Sequence, residues 1–376
     1  MGTEGIVRVL ASPESWIEGD AVRQLEATAR LPGMRLAVGL PDLHPGEGTP
    51  VGAVFATEGV VYPTLVGNDI GCGMALWRTD LSRRKAKLDR WARKLSLDAP
   101  WDGDADAWLS AHGVPARRRG LGPTAEAALG TIGGGNHFTE LQLVEEIADG
   151  GAFVALGLDR EHFVLLVHSG SRGLGDAILR QHVDAHRGAG LPESEAADYL
   201  AQHDRAVRWA AANRALIARR FLEALGAEGE PVLDVCHNQV VRGTVGGREL
   251  LLHRKGAAPA DAGPLPIPGS RGALTWLVRP AGDLDIGARS LAHGAGRKWK
   301  RSECKDRLRG RYRPDDLLQT DLGGRVVCED RALLYEEAPQ AYKRIDRVVA
   351  DLLDRGLVEI IATLRPQLTY KTRGRE

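Results

Sequence analysis

What most constrains this chain is a set of short, apolar, β-branched runs that each lead into a polar cluster. "HFVLLVHSGSRG", "PVLDVCHNQV" and "ELLLHRKGA" read as buried strands with functional groups at their ends. "AFVALGL" and "VEIIATL" read as further strands, the latter followed by a terminal "LTYKTRG". Helical patterns interrupt them. Residues 192–226 start with Pro and acids, run rich in Ala, Leu and Arg, and end in Gly, which predicts one long helix. "LSRRKAKLDRWARKLSL" places Leu88, Trp91 and Leu95 at helical spacing with a basic outer face, and "APQAYKRIDRVVADLLDRG" is amphipathic. No regular βαβ rhythm joins these pieces. The expectation is an irregular α+β fold in one domain, residues 1–376, rather than a doubly wound sheet. The segments around 99–120 and 258–272, rich in Pro, Gly and Ala, read as loops.

Charge narrows the partners. Lys plus Arg and Asp plus Glu each number 50, so no global field draws the protein to nucleic acid, and a polyanion would need a local basic patch. One is present: "RKWKRSECKDRLRGRYR", residues 297–313, holds nine Lys or Arg against two acids, with Trp299 and Tyr312 interleaved. Such a run is either a solvated face or a track for a nucleic-acid backbone with aromatics for its bases. Only four cysteines are present, so no disulfide framework is expected. With no signal-like N-terminus and no span-length apolar run, a cytoplasmic protein without a membrane partner is expected.

The stretch "YPTLVGNDIGCGMALW" places Asp69 and Cys72 three apart among Gly67, Gly71 and Gly73. A buried thiol filling a tight turn is the plain reading. The histidines oppose it. His137 in "GTIGGGNHFTEL", His168 in "LLVHSGSRG", His237 in "DVCHNQV" and His293 in "SLAHGAGR" all sit at strand ends or Gly-rich turns beside polar groups. Imidazoles, a thiolate and a carboxylate together suit a transition metal, and a bridging thiolate would suit two metals. His182 and His186 lie at i, i+4 but lack the Glu of a zincin helix, and read as polar surface.

"DIGCGM", "GTIGGGNHFTEL", "HSGSRGLG", "CHNQ" with "HRKGA", "IPGS", "HGAGR" and "AYKRID" resemble, in order, the signature blocks of the RtcB-type RNA ligases, from about Pro41 to Lys371. The resemblance implies a single α+β domain and a GTP- and Mn²⁺-dependent ligase. Such a ligase joins an RNA 3′-phosphate or 2′,3′-cyclic phosphate end to a 5′-hydroxyl end, as in tRNA splicing. The absence of G-x-x-x-x-G-K-[ST] fits, and excludes a P-loop GTP site.

Carried over by motif, the resemblance implies that Asp69, Cys72, His137, His168 and His237 bind two Mn²⁺ ions, with Cys72 between them. It implies His293 as the nucleophile that takes GMP from GTP, and Asp42 in "PDLHPGEGTPVG" as a proton acceptor for the attacking hydroxyl. Asn136, Glu140, Ser270, Tyr342 and Lys371 stand at nucleotide-contacting positions, Glu140 against the N1–H and N2–H₂ edge of guanine. Arg172, Arg254 and Lys255 are candidates for RNA or triphosphate oxygens, and Arg297 would lie near phosphates.

Three positions depart from the family pattern: Arg271 for Met, Asp176 for Asn, and Gln239 for His or Tyr. "LPDLHPGEGTPVG" and "YPTLVGNDIGCGMALW" are similar to the branch associated with release factor H, which implies RNA repair on damaged ribosomes; an activator protein is a further implied partner. Two other readings stand beside the ligase. A binuclear metal-dependent phosphoesterase acting on RNA ends would use the ligand set but have no use for His293 with a guanine pocket. A non-catalytic RNA-binding or assembly protein would need none of these residues.

Overall fold

The fold is a mixed α+β arrangement built on two sheets, in a computed structural model that describes residues 5–116 and 126–374. The first sheet runs β1 (Ile6–Val9), β2 (Met34–His44), β3 (Val51–Thr57), β11 (Arg248–Lys255), β10 (Asn238–Val245). The second runs β13 (Leu265–Pro268), β14 (Thr275–Pro280), β17 (Val358–Thr372), β6 (Phe138–Ile147), β7 (His162–Ser169), β5 (Gly73–Ser82), β9 (Gly229–Cys236), with β16 (Arg325–Cys328) also on β17. Two small ribbons pair β4 (Val60–Val61) with β8 (Leu191–Pro192), and β12 (Ala257–Pro259) with β15 (Ser290–Ala292). Among the described strands only β1–β2 and β16–β17 pair in parallel, which rules out a doubly wound sheet.

Two apolar layers hold the sheets. Helix α7 (Ala197–Leu225) lays Ile217, Phe221 and Leu222 onto Ala75, Phe163, Leu165 and Val167 of the second sheet, and Gly226 in the left-handed region ends it. Val38, Leu40, Val54 and Leu252 of the first sheet meet Ile267, Val278 and helix α10 (Ile345–Asp354) in a second layer. Each Val, Leu, Ile or Phe side chain among these, fully buried, contributes about 1.5–3 kcal/mol. Shorter helices complete the surface: α1 (Gly19–Ala29), α2 (Pro63–Val66), α3 (Leu88–Lys94), α4 (Ala105–Ala111), α5 (Gly150–Ala155), α6 (Gly173–His186), α8 (Arg301–Leu308) and α9 (Arg331–Glu336).

Several local expectations give way. "AFVALGL" begins in a helix, α5, which Asp149 caps by accepting from Ala152 N; a short apolar run has no period to separate helix from strand. The helix expected over 81–97 shrinks to α3, since β5 continues to Ser82. The long helix begins at Ala197, because Pro192 pairs in β8 and a 3₁₀ turn intervenes. "VEIIATL" and the "LTYKT" of "LTYKTRG" belong to one strand, β17, which passes Pro366 through a register shift. Of the expected loops, 99–116 holds α4 and 258–272 holds most of β12 and all of β13; residues 117–120 lie outside the described residues. Among the described residues no helix is long and apolar enough to cross a membrane.

Candidate functional site

Antiparallel register builds the site. Gly73 at the start of β5 pairs with Ser169 at the end of β7 and with Cys236 at the end of β9. Phe138 at the start of β6 pairs with His168. The turn before β5, the turn before β6 and the ends of β7 and β9 therefore share one edge of the sheet. That edge collects Asp69, Cys72, His137, His168 and His237.

Their ligand atoms converge. Cys72 Sγ lies 3.3 Å from His137 Nε2 and 3.3 Å from His168 Nε2. His137 Nε2 is 2.9 Å from Asp69 Oδ2, and His168 Nε2 is 3.3 Å from His237 Nε2. Cys72, His137 and His168 form a buried group able to hold a metal ion. The His168 Nδ1–H donates to Asn136 O at 3.2 Å, which turns Nε2 inward as a ligand. Gly71 sits at φ +79°, and a Cβ there would stand 2.8 Å from Ala210 Cβ and 2.9 Å from Val207 Cα of α7. Only glycine lets this turn press so closely on the helix.

The electrostatics fit a cation. Burial, then neighbouring imidazoles, push His168 and His237 well below their ordinary range, leaving the neutral rings that ligation needs. Burial opposes ionisation of Asp69, but His137 beside it prevails and lowers the carboxyl to about 2. Burial and then Asp69 push the Cys72 thiol well up, so a thiolate here requires a positive ion.

His293 follows β15 and lies against the cluster, its ring 4.7 Å from that of His237 and tilted 56° to it. Its Nδ1 lies 2.7 Å from Oδ2 of Asp42, a fully buried carboxylate in β2. Gly256 (φ +61°) passes directly beneath, where a Cβ would come within 2.8 Å of His293 Cε1.

A cavity of about 480 Å³ opens from this cluster, within the range of small-ligand sites. Asn136, Glu140, Ser270, Tyr342 and Lys371 all line it, as do Lys255, Arg172, Arg297 and Arg301. Glu140 is buried on β6, roughly 10 Å along the strand from His137. It accepts from Gln142 Nε2 at 2.7 Å and from Thr369 Oγ1. Burial raises its carboxyl to about 7 despite those bonds and the charges of Lys371 and Arg271.

Some expectations are redirected. Lys371, near the end of the chain, is buried and donates to Gly135 O at 2.7 Å. Arg254 turns away from the cavity and donates to Ser290 Oγ and Arg289 O, both at 3.0 Å. His182 is buried rather than surface, bonded to Ala189 O. In the segment 297–313 the cations are exposed except Arg297. Trp299 and Tyr312 pack on the Leu308–Leu334 cluster, so they are only partly free to stack.

Two residues escaped the sequence reading. Glu337 stands one position before "APQAYKRID", is 5 % exposed, and gathers Arg297 Nη1 at 2.9 Å, Lys371 at 3.7 Å and the Tyr342 hydroxyl. Arg214 on α7 donates from Nη1 to Gly71 O at 2.7 Å and Ser169 O at 2.9 Å, and pairs with Asp234. It ties two ligand-bearing turns together. Nothing local distinguishes it from the other arginines of that helix.

A buried thiol, imidazole and carboxylate cluster able to hold a metal ion, beside a histidine oriented by a buried carboxylate, sits in an α+β fold. The sequence matches the family model described as tRNA-splicing ligase RtcB over residues 24–116 and 111–372. It is 49% identical to the RNA-splicing ligase RtcB2 of Escherichia coli (strain ATCC 25922), over 98% of this chain and 96% of that protein. Identity is 31% to the RNA-splicing ligase RtcB of Escherichia coli K12, over 94% of this chain and 95% of that one. It is 30% to the tRNA-splicing ligase RtcB of Thermococcus kodakarensis, over 92% of this chain and 89% of that one. The chain belongs to the RtcB family.

Proposed function

We propose that this protein is a GTP- and Mn²⁺-dependent RNA ligase, working as one catalytic domain over residues 1–376. It joins 3′-phosphate or 2′,3′-cyclic phosphate ends to 5′-hydroxyl ends. The observation that carries the reading is the 2.7 Å contact between Asp42 Oδ2 and His293 Nδ1 beside five converging ligand atoms.

Asp69, Cys72, His137, His168 and His237 would hold two Mn²⁺ ions, which neutralise charge on phosphate oxygens. With Nδ1–H donated to Asp42, His293 keeps a lone pair on Nε2. That lone pair attacks the α-phosphorus of GTP; an N–P bond forms, the α–β P–O bond breaks, and pyrophosphate leaves. The RNA 3′-phosphate then takes GMP from His293, freeing the imidazole. The 5′-hydroxyl attacks the activated 3′-phosphorus and releases GMP, and Asp42 is the acceptor we assign to its proton. Glu140, Asn136, Ser270, Tyr342 and Lys371 hold the guanylate, and Glu140 selects guanine. The exposed cations of 297–313 track the RNA backbone. The resemblance of "LPDLHPGEGTPVG" and "YPTLVGNDIGCGMALW" to the release-factor-H-associated branch makes repair of cleaved RNA the physiological task we assign.

The test is labelling with GTP carrying ³²P at the α-phosphate, in Mn²⁺, followed by denaturation. Acid-labile label on the wild type and none on His293→Ala supports the reading. No label with two metals bound, and none after adding 3′-phosphate RNA and candidate activators, would favour the phosphoesterase instead.

A further inference from the structure

The turn between β13 and β14 brings Arg271 to the cavity wall. Only 8 % of the residue is exposed. Nη2 donates to Leu334 O of α9 at 3.0 Å, whereas Nη1 is buried with no partner among the described residues. A buried cationic donor without an acceptor is costly, and native structures seldom leave one so unless a ligand completes it.

Its position relative to Glu140 identifies the ligand atom. Thr275, which opens β14, accepts from Gln142 Nε2 at 2.9 Å, and that same nitrogen donates to Glu140 Oε1 at 2.7 Å. Thr369, which donates to Glu140, and Lys371 continue this wall on β17. Arg271 is near enough for its charge to favour the Glu140 carboxylate. A buried donor residue and a buried acceptor residue therefore line the same cavity. Guanine presents the complement on one edge, with N1–H and N2–H₂ as donors and O6 as the adjoining acceptor. Adenine offers an acceptor at N1 and an amino donor in place of O6, so it fails at both positions.

The geometry points to Arg271 as a second base-reading residue, donating from Nη1 to O6 of guanine while Glu140 takes N1–H. This rests on the GTP reading above. Arg271 is thus a specificity determinant on the nucleotide and takes no part in bond making.

The test compares dissociation constants of GTP, ATP, ITP and 6-thio-GTP for the Mn²⁺-loaded wild type, Arg271→Met and Arg271→Lys. 6-Thio-GTP keeps N1–H and N2–H₂ but replaces O6 with a poor acceptor, and ITP lacks only the 2-amino group that Glu140 reads. The wild type should prefer GTP over 6-thio-GTP by on the order of tenfold to a hundredfold. In Arg271→Met that gap should close through weaker GTP binding, with the GTP-to-ITP ratio kept; Arg271→Lys should retain part of it. The inference is overturned if the wild type binds the two equally, or if Arg271→Met keeps the gap. It is also overturned if that variant weakens all four nucleotides alike, the signature of a phosphate or ribose contact. Should Arg271→Met fail to fold, the wild-type comparison of GTP with 6-thio-GTP decides. Failure of the underlying reading looks different: the wild type would bind no GTP, or would not distinguish it from ATP.

Discussion

Asp42 and His293 stand 251 residues apart in the chain and meet at 2.7 Å, carboxylate Oδ2 to imidazole Nδ1. The carboxylate also accepts from the His293 backbone N–H at 3.2 Å, so one buried acid fixes both ring and main chain. Asp42→Asn should leave metal binding intact while reducing histidine guanylylation by about 10²–10⁴-fold, the range for a histidine held in the wrong tautomer or orientation. Single-turnover labelling reads this directly; a wild-type rate would remove Asp42 from the first step.

Cys72→Ala and His168→Ala should lose bound Mn²⁺ together with activity. Equilibrium dialysis with elemental analysis gives the stoichiometry. Mn²⁺ should raise the melting temperature of the wild type and not of these variants, because only the folded chain assembles the ligands. Two ions retained by Cys72→Ala would disprove a bridging thiolate.

GTP affinity should depend on the Glu140 carboxyl, which burial raises to about 7. A raised carboxyl keeps its proton to higher pH, and the ionised form accepts guanine N1–H and N2–H₂ far more strongly than the protonated one, one of whose oxygens is a donor. Affinity should therefore be full above pH 7 and fall by about tenfold per unit below it. Glu140→Gln should flatten that profile and erode the preference for GTP over ATP. The γ-phosphate titrates equally in both proteins, so their difference isolates the residue. Parallel profiles would dismiss Glu140 as the base reader.

RNA affinity should rest on the exposed cations of α8 and its flanks. Replacing Lys305, Arg309 and Arg313 by Glu should weaken binding of single-stranded RNA and lower the slope of log K against log salt by about 2. Nucleotide binding should not change. A constant slope would put the RNA on another face.

Glu337 joins Arg297, Lys371 and Tyr342 in one buried knot. Burial opposes its ionisation, but Lys371 and Arg297 overcome this and hold the carboxyl at about 2. Glu337→Ala leaves those cations buried and uncompensated, and should cost about 3–5 kcal/mol in urea unfolding. A loss below 1 kcal/mol would mean that the cations find water or other partners. The contribution is present above the ordinary glutamate range near pH 4.5 and is lost as pH falls toward 2.

Local chemistry was readable from the sequence wherever a residue's role is written into its neighbours. Asp69 and Cys72 are marked by their glycines, and His168 and His237 by the strands they end. The α+β class follows from short apolar runs without a βαβ rhythm. Tertiary structure decided what depends on distant pairing: the antiparallel register that brings four strand ends to one edge, and the crossing of β2 that delivers Asp42 to His293. It also decided α5, because only packing tells a short apolar helix from a strand. Arg214, Glu337 and the unpaired Nη1 of Arg271 became visible only there. A side chain's partners across hundreds of residues are set by the whole fold, and burial sets whether its charge must find one.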